Sequence, residues 1–237
     1  MTPAEFDRYA GTYDGGLDNP IKRMMGDQAD QFIAVKTRWL LRREPTLKSS
    51  GLAVLDYGCG AGDLMRVLAE QGARADFTGC DVSGGMLAEV GKRWPASLGP
   101  APVLATQEGA RTPFADRQFD IVTISAVLHH VPVEERQAVY RELGRVLKPG
   151  GRIYVFEHNP RNPLVRYVIA RTPIDENAIL LDAREVRHGL LDTARYDLET
   201  DYLMFMPPGL AFLAPLDRTL AWLPLGAQYV VAARKAA

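Results

Sequence analysis

The residues best placed to do chemistry gather in one short run. Val54-Leu55-Asp56-Tyr57-Gly58-Cys59-Gly60-Ala61-Gly62-Asp63 reads as a buried strand ending in an acid, a Gly-x-Gly-x-Gly loop, and the start of a helix. Glycine permits the tight turn and lets backbone N–H groups approach a ligand. The carboxyl end of the first strand is where open α/β sheets bind ligands. The dinucleotide fingerprint G-x-G-x-x-G fails here because its last position is Asp63, and the Gly-Lys-Ser/Thr of a P-loop is absent. Asp56 would oppose a pyrophosphate with like charge and instead suits a ligand carrying a cationic amine. The acid that closes Gly79-Cys80-Asp81-Val82-Ser83 ends the next strand. An acid about 20 residues beyond the glycine loop is placed to accept from ribose hydroxyls.

Further along, Gln107-Glu108-Gly109 could set an acid or a backbone amide beside an adenine. Phe119-Asp120-Ile121-Val122 runs into Leu128-His129-His130-Val131, which places two histidines at the rim of a fourth strand. Either is a candidate general base near neutral pH, His130 before His129. Glu157 and His158 end a fifth strand at the same rim and are base or substrate-contact candidates. His129, His130, Glu157 and His158 lack a recognised ligand spacing, so the sequence assigns no metal. Cys59 and Cys80 read as small, reduced residues.

These side chains need a frame. Met25 to Arg43 shows helical apolar spacing at Phe32, Val35, Trp39 and Leu40. Ala53–Leu55, Asp76–Asp81, Ala101–Thr106, Phe119–Val127 and Arg152–Phe156 read as strands, with helical patterns at Gly62–Glu70, from the Ser83 N-cap to Arg93, and at Val139–Leu147. Lys148-Pro149-Gly150-Gly151 stops the last of these helices. Strands alternating with helices predict a doubly wound, mostly parallel α/β sheet. Beyond residue 158 the pattern loosens. Asn162-Pro163 and Asp182-Ala183-Arg184-Glu185 open two more helices, and Tyr202–Met206 and Gln228–Ala233 read as strands flanking a helix near Leu210–Leu223.

Length and composition bound the function. The chain has 237 residues, 47% hydrophobic and 24% charged, which suits one globular α/β domain. Lys+Arg 28 against Asp+Glu 29 leaves a net charge of -1, so there is no electrostatic footprint for nucleic acid and no polybasic membrane anchor. Two cysteines exclude a disulfide scaffold. The N-terminus has no signal-peptide pattern and no apolar run reaches spanning length, so a cytoplasmic protein without a transmembrane segment is expected. Tyr202–Leu216 carries no charge, which suits core or a wall facing an apolar ligand.

Taken in order, the five motifs over residues 50–157 resemble a class I S-adenosylmethionine (SAM)-dependent methyltransferase of the small-molecule type. The resemblance implies a seven-stranded Rossmann-like sheet with an antiparallel last strand and helices on both faces. It implies Asp56, Gly58, Cys59, Gly60 and Gly62 around the methionine part of SAM, and Asp81 on its ribose. Val82 and Met86 would pack near the adenine, Glu108 and Gly109 would meet its edge, and Ser125 and Leu128 would line the pocket. Phe6-Asp7-x-x-Ala10-x-x-Tyr13-Asp14 is similar to the segment that closes over the cofactor, which implies Tyr13 or Tyr9 touching it. A single domain follows: an N-terminal cover over 1–50, a SAM-binding core over 51–158, a helical lid over 159–200 and C-terminal strands over 201–237. The implied reaction is in-line attack of a small-molecule nucleophile (O, N or C) on the sulfonium methyl, leaving S-adenosylhomocysteine. The acceptor would be an apolar or lipid-linked small molecule, and the enzyme a monomer or homodimer. A SAM-binding module without transfer activity and a nucleotide-dependent oxidoreductase remain as alternatives.

Overall fold

In a computed structural model of the chain, residues 7, 29–49, 51–206 and 219–236 are described. Seven strands form one sheet: β1 (Ala53–Tyr57), β2 (Asp76–Asp81), β3 (Val103–Thr106), β4 (Phe119–Ser125), β5 (Leu147–His158), β6 (Tyr196–Leu203) and β7 (Gln228–Lys235). Their order is β3-β2-β1-β4-β5-β7-β6. The first five pair in parallel, and β7 runs antiparallel to both of its neighbours. The chain reverses direction of travel between β1 and β4, so the carboxyl ends of these strands flank the crevice where such sheets take ligands.

Helices lie on both faces. On one, α1 (Ala29–Arg43), α2 (Asp63–Glu70) and α3 (Gly84–Arg93) cover the sheet, and Trp39, Leu40, Leu64, Met65, Leu68 and Leu87 pack with Val54, Ile121, Tyr154 and Phe156. On the other, α4 (Val133–Val146) and α6 (Ala183–Leu191) bring Val139, Leu143, Val186 and Leu190 against Leu55, Val122, Ile124 and Val155. Consecutive strand residues point to opposite faces, so each of these strands feeds both cores. Between the two late elements sits a short α5 (Pro163–Ile169).

Local capping follows the sequence. Ser83 Oγ accepts from Met86 N at 3.0 Å, Asn162 Oδ1 accepts from Leu164 N and Val165 N, and Asp182 Oδ1 accepts from Arg184 N and Glu185 N.

Several boundaries differ from the sequence reading. Lys148-Pro149-Gly150-Gly151 ends α4 but is drawn into β5. The strand expected at Tyr202–Met206 begins at Tyr196. It is an edge strand with one face towards solvent, and its Asp197, Glu199 and Asp201 disguise it in a search for apolar runs. The segment 159–200 is not a lid as a whole. Val186 and Leu190 of α6 are fully buried core, and only Thr172, Ile174 and Asp175 border the cavity described below. The Phe6–Asp14 segment, Tyr13 included, and most of the helix expected near Leu210–Leu223 lie outside the described residues, Asp7 excepted. No helix among the described residues is long and apolar enough to cross a membrane.

Candidate active site

The glycine loop leaves β1 with Gly58, Gly60 and Gly62 all in the left-handed region, at φ 69°, 53° and 79°. A Cβ on Gly58 would stand 2.5 Å from Val127 Cγ2, so glycine there is demanded by both backbone angle and space. Asp81 fastens the loop. Its Oδ2 accepts from Gly60 N at 2.8 Å and its Oδ1 from Ser83 N at 2.9 Å. Asp7 adds a link at the same corner, accepting from Ser83 Oγ and Gly85 N. Asp56 is buried at the end of β1, where Thr123 Oγ1 donates to its Oδ1 at 2.8 Å.

At the end of β4 the chain turns through Ala126, a non-glycine residue at φ 58°. Strain of this kind persists only where the surroundings hold it. Here Ala126 N donates to Phe156 O, and the next two amides, Val127 N and Leu128 N, donate to Glu157 Oε1 at 3.0 and 2.7 Å. The other oxygen of Glu157 meets His129 Nδ1 at 2.6 Å. Glu157 is therefore a buried clamp beneath the histidine turn rather than a base at the rim, which corrects the expectation from sequence. Both of its oxygens are occupied, and it does not line the cavity.

Beyond His129 lies Asp175, from a short turn after α5. Asp175 Oδ1 stands 3.4 Å from His129 Nε2 and 3.4 Å from His130 Nε2. Ile179 N donates to His129 O at 2.8 Å, and Arg136, which pairs with Glu185, also donates to Ile179 O. Those bonds hold the 172–179 segment against the histidines.

The glycine loop, the two carboxylates of Asp56 and Asp81, the histidine turn and Asp175 border one cavity of about 470 Å³, within the usual range of small-molecule sites. Asp56, Gly58, Cys59, Gly60, Asp81, Val82, Met86, Gly109, Ser125, His129 and His130 line it. The strand order lays these groups out in sequence along the carboxyl edge: Gln107 beyond β3, Asp81 on β2, Asp56 on β1, Ser125 on β4 and His158 on β5. Adjacent strands are about 4.8 Å apart, so acids and glycines occupy one side and histidines the other.

Four expected residues are placed elsewhere. Glu157 is the clamp just described. Gly62 packs on Val90 of α3, and Leu128 is fully buried core. Glu108 is exposed, while its neighbour Gln107 is buried at the cavity wall. Gln107 Nε2 donates to Gly109 O, and its buried Oε1 has no protein partner among the described residues. Lys36 and Asp175 are among the cavity residues that escaped the sequence reading. Lys36 reaches from α1 to Ser125 Oγ at 2.8 Å and is only 6% exposed. Its spacing from Phe32 and Leu40, four residues each way, puts it on the apolar face of α1, which was the available signal. Asp175 had no signal, because nothing in its local pattern links it to residues 129 and 130.

The electrostatics follow from burial. Burial pushes Asp56 up to about 7, against the Thr123 hydrogen bond and the Lys36 charge, which pull it down. Burial also raises Asp81, opposed by backbone N–H groups. Lys36 is pulled down to about 8 by burial, with Glu157 and Asp56 resisting. Burial alone would lower His129, but Glu157 and Asp175 outweigh it and carry the ring to about 9. His130 and His158 fall to about 4 through burial and the neighbouring His129 charge.

Residues 54–151 match a family model described as "Methyltransferase domain". The chain is 39% identical over 120 residues to a 2-phytyl-1,4-naphtoquinone methyltransferase of Synechococcus elongatus, covering 49% of this chain and 50% of that protein. It is 34% identical over 158 residues to the ubiquinone/menaquinone biosynthesis C-methyltransferase UbiE of Desulfotalea psychrophila, covering 65% and 57%. The chain thus spans only about half the length of the curated relatives it matches. Among solved structures, magnesium protoporphyrin IX methyltransferase of Synechocystis PCC 6803 with bound SAH superposes with TM-score 0.68 at 21% identity, covering 98% of this chain and 95% of that one. At that identity the likeness concerns the fold. The motif order, the strand order 3-2-1-4-5-7-6 and the matched segment agree: residues 54–151 are similar to a methyltransferase domain, carried on the Rossmann-like sheet seen in SAM-dependent methyltransferases.

Proposed function

We propose that this chain transfers a methyl group from SAM to a small-molecule acceptor of apolar, quinone-like character. One observation carries the reading: two buried carboxylates and a glycine loop share a single cavity with a second, histidine-lined polar wall. The residues fit the cofactor. Asp56, raised by burial and with no backbone N–H bond among the described residues, has an oxygen left for an ammonium. Asp81 is fixed by two backbone N–H groups with lone pairs remaining for ribose hydroxyls. Gln107 Oε1 is an orphaned buried acceptor beside Gly109, suited to an exocyclic amine, and it takes the place that the sequence reading gave to Glu108. Val82 and Met86 supply apolar surface.

Bound SAM supplies the electrophilic methyl, so the protein's work is to bind, orient and exclude water. Lys36 lines the cavity and donates to Ser125 Oγ, and Ile33, Val131, Val139 and Ile174 add apolar lining for an acceptor. Of the two histidines nominated from sequence, burial and the neighbouring His129 charge lower His130 to about 4 and keep it neutral at physiological pH, whereas His129 is held charged between two carboxylates. A ring held that low is a weak proton acceptor near neutral pH, so the site offers no strong histidine base, and Glu157 acts only by positioning the turn.

Calorimetry with SAM and SAH tests the cofactor half. Asp81→Ala should lose most of the affinity while the fold survives, and unchanged affinity would overturn the ribose assignment. Incubation of isotope-labelled SAM with a panel of reduced quinones tests the other half. Label in a quinone product is expected, and label transferred only to other small molecules would reject the acceptor class.

A further inference from the structure

We propose that His129, His130 and Asp175 form a binding site for a divalent transition-metal ion with the ligand preference of zinc. One donor atom from each of the three lies within 4.8 Å of the other two. Asp175 Oδ1 is 3.4 Å from both imidazole Nε2 atoms. That is long for an N–H···O hydrogen bond, which clusters near 2.9 Å. It matches the edge of a tetrahedron built on metal–N and metal–O bonds of about 2.0–2.1 Å, which is about 3.4 Å.

The surroundings have the form a metal site needs. His129 Nδ1 is taken by Glu157 at 2.6 Å, which turns Nε2 towards Asp175 and makes the ring a stronger donor. Glu157 is itself anchored by two backbone amides. His129 and His130 are fixed by the short turn Leu128–His130, and Asp175 by the turn Pro173–Asp175. Ile179 N on His129 O ties these two turns together. All three donors line the cavity, so a fourth position borders it and can take water or an oxygen of a bound molecule. Three protein ligands with one open position is the usual arrangement of a zinc that meets small molecules. The set differs from the one visible in sequence. Glu157 stands behind a ligand instead of being one, His158 is outside the triangle, and Asp175 joins from a distant turn. None of the three ligands is a residue assigned to SAM.

The test uses the full chain without a histidine tag, stripped with chelator and titrated with Co²⁺, whose visible bands report coordination number. One equivalent should bind with the intense spectrum of four-coordinate cobalt, and Zn²⁺ should displace it. Asp175→Asn and His130→Gln should each weaken Co²⁺ binding tenfold or more. Circular dichroism must show each variant folded; if one fails to fold, the other decides. Absence of saturable binding at one equivalent, or unchanged affinity in a folded variant, overturns the site. A SAM titration of the metal-free protein separates the two readings, because SAM binding without any Co²⁺ binding rejects the metal site alone.

Discussion

Asp56→Asn should make the protein more stable and less able to bind SAM, and the stability gain should depend on pH in a defined direction. Asp56 is 3% exposed, and burial lifts it from an ordinary 3.8 to about 7. A carboxyl whose folded value is raised costs nothing below its unfolded value, where it is protonated in both states. The cost grows as pH rises and is complete above the folded value. At 1.36 kcal/mol per pH unit, the penalty is roughly 4 kcal/mol at about pH 8.5 and under about 2 kcal/mol at about pH 5. Asparagine keeps an oxygen for the Thr123 hydrogen bond, so the substitution removes the charge without orphaning a partner. Lys36 does not blur the comparison: at the lower pH Asp56 is already neutral, and at the higher pH Lys36, near 8, has largely lost its own charge. Urea unfolding of both proteins at the two pH values gives the result directly. The variant should gain about 2–3 kcal/mol more at the higher pH. SAM in excess should raise the stability of the wild type by ligand linkage and leave the variant nearly unmoved. A variant that is equally stabilised at both pH values, or destabilised at the higher one, would refute the claim that Asp56 is a strained buried charge kept for a cation.

The remaining predictions concern its neighbours. SAM affinity of the wild type should fall about tenfold per pH unit below pH ~7, as Asp56 protonates; Lys36→Met removes a charge that holds Asp56 down, so calorimetry across pH should find the midpoint moved upward. Gly58→Ala should cost roughly 2–4 kcal/mol in urea unfolding, because the new Cβ meets Val127 and sits at positive φ. Glu157→Gln should cost about 3–5 kcal/mol, since it leaves the buried His129 charge half-compensated; a loss under 1 kcal/mol would show that the clamp is dispensable.

The parts of the site written in contiguous residues were legible from sequence. A strand, an acid and a glycine loop fall within ten positions, and an acid closing the next strand has a characteristic distance from them. Periodicity located β1, β2, β4 and α2, because buried strands and amphipathic helices repeat every 2 or 3.6 residues. β6 was misplaced because half-exposed edges carry charge, and Glu157 was misjudged because sequence order shows that it ends a strand but not which way its carboxylate turns. Lys36, Gln107 and Asp175 belong to the same difficulty. Each reaches the cavity from an element whose local pattern says nothing of the groups it will meet.

What the sequence by itself determined is therefore the architecture and the acidic, glycine-lined half of the cavity, which depends on backbone shape and near-neighbour spacing. Only the tertiary structure decided the other half. Parallel strands β4 and β5 bring residue 157 beneath residue 129, and the turn after α5 carries Asp175 to both histidines. Those contacts are made across 28 and about 45 residues of chain, and they exist because the sheet and its two hydrophobic cores, not local propensity, set where the loops end.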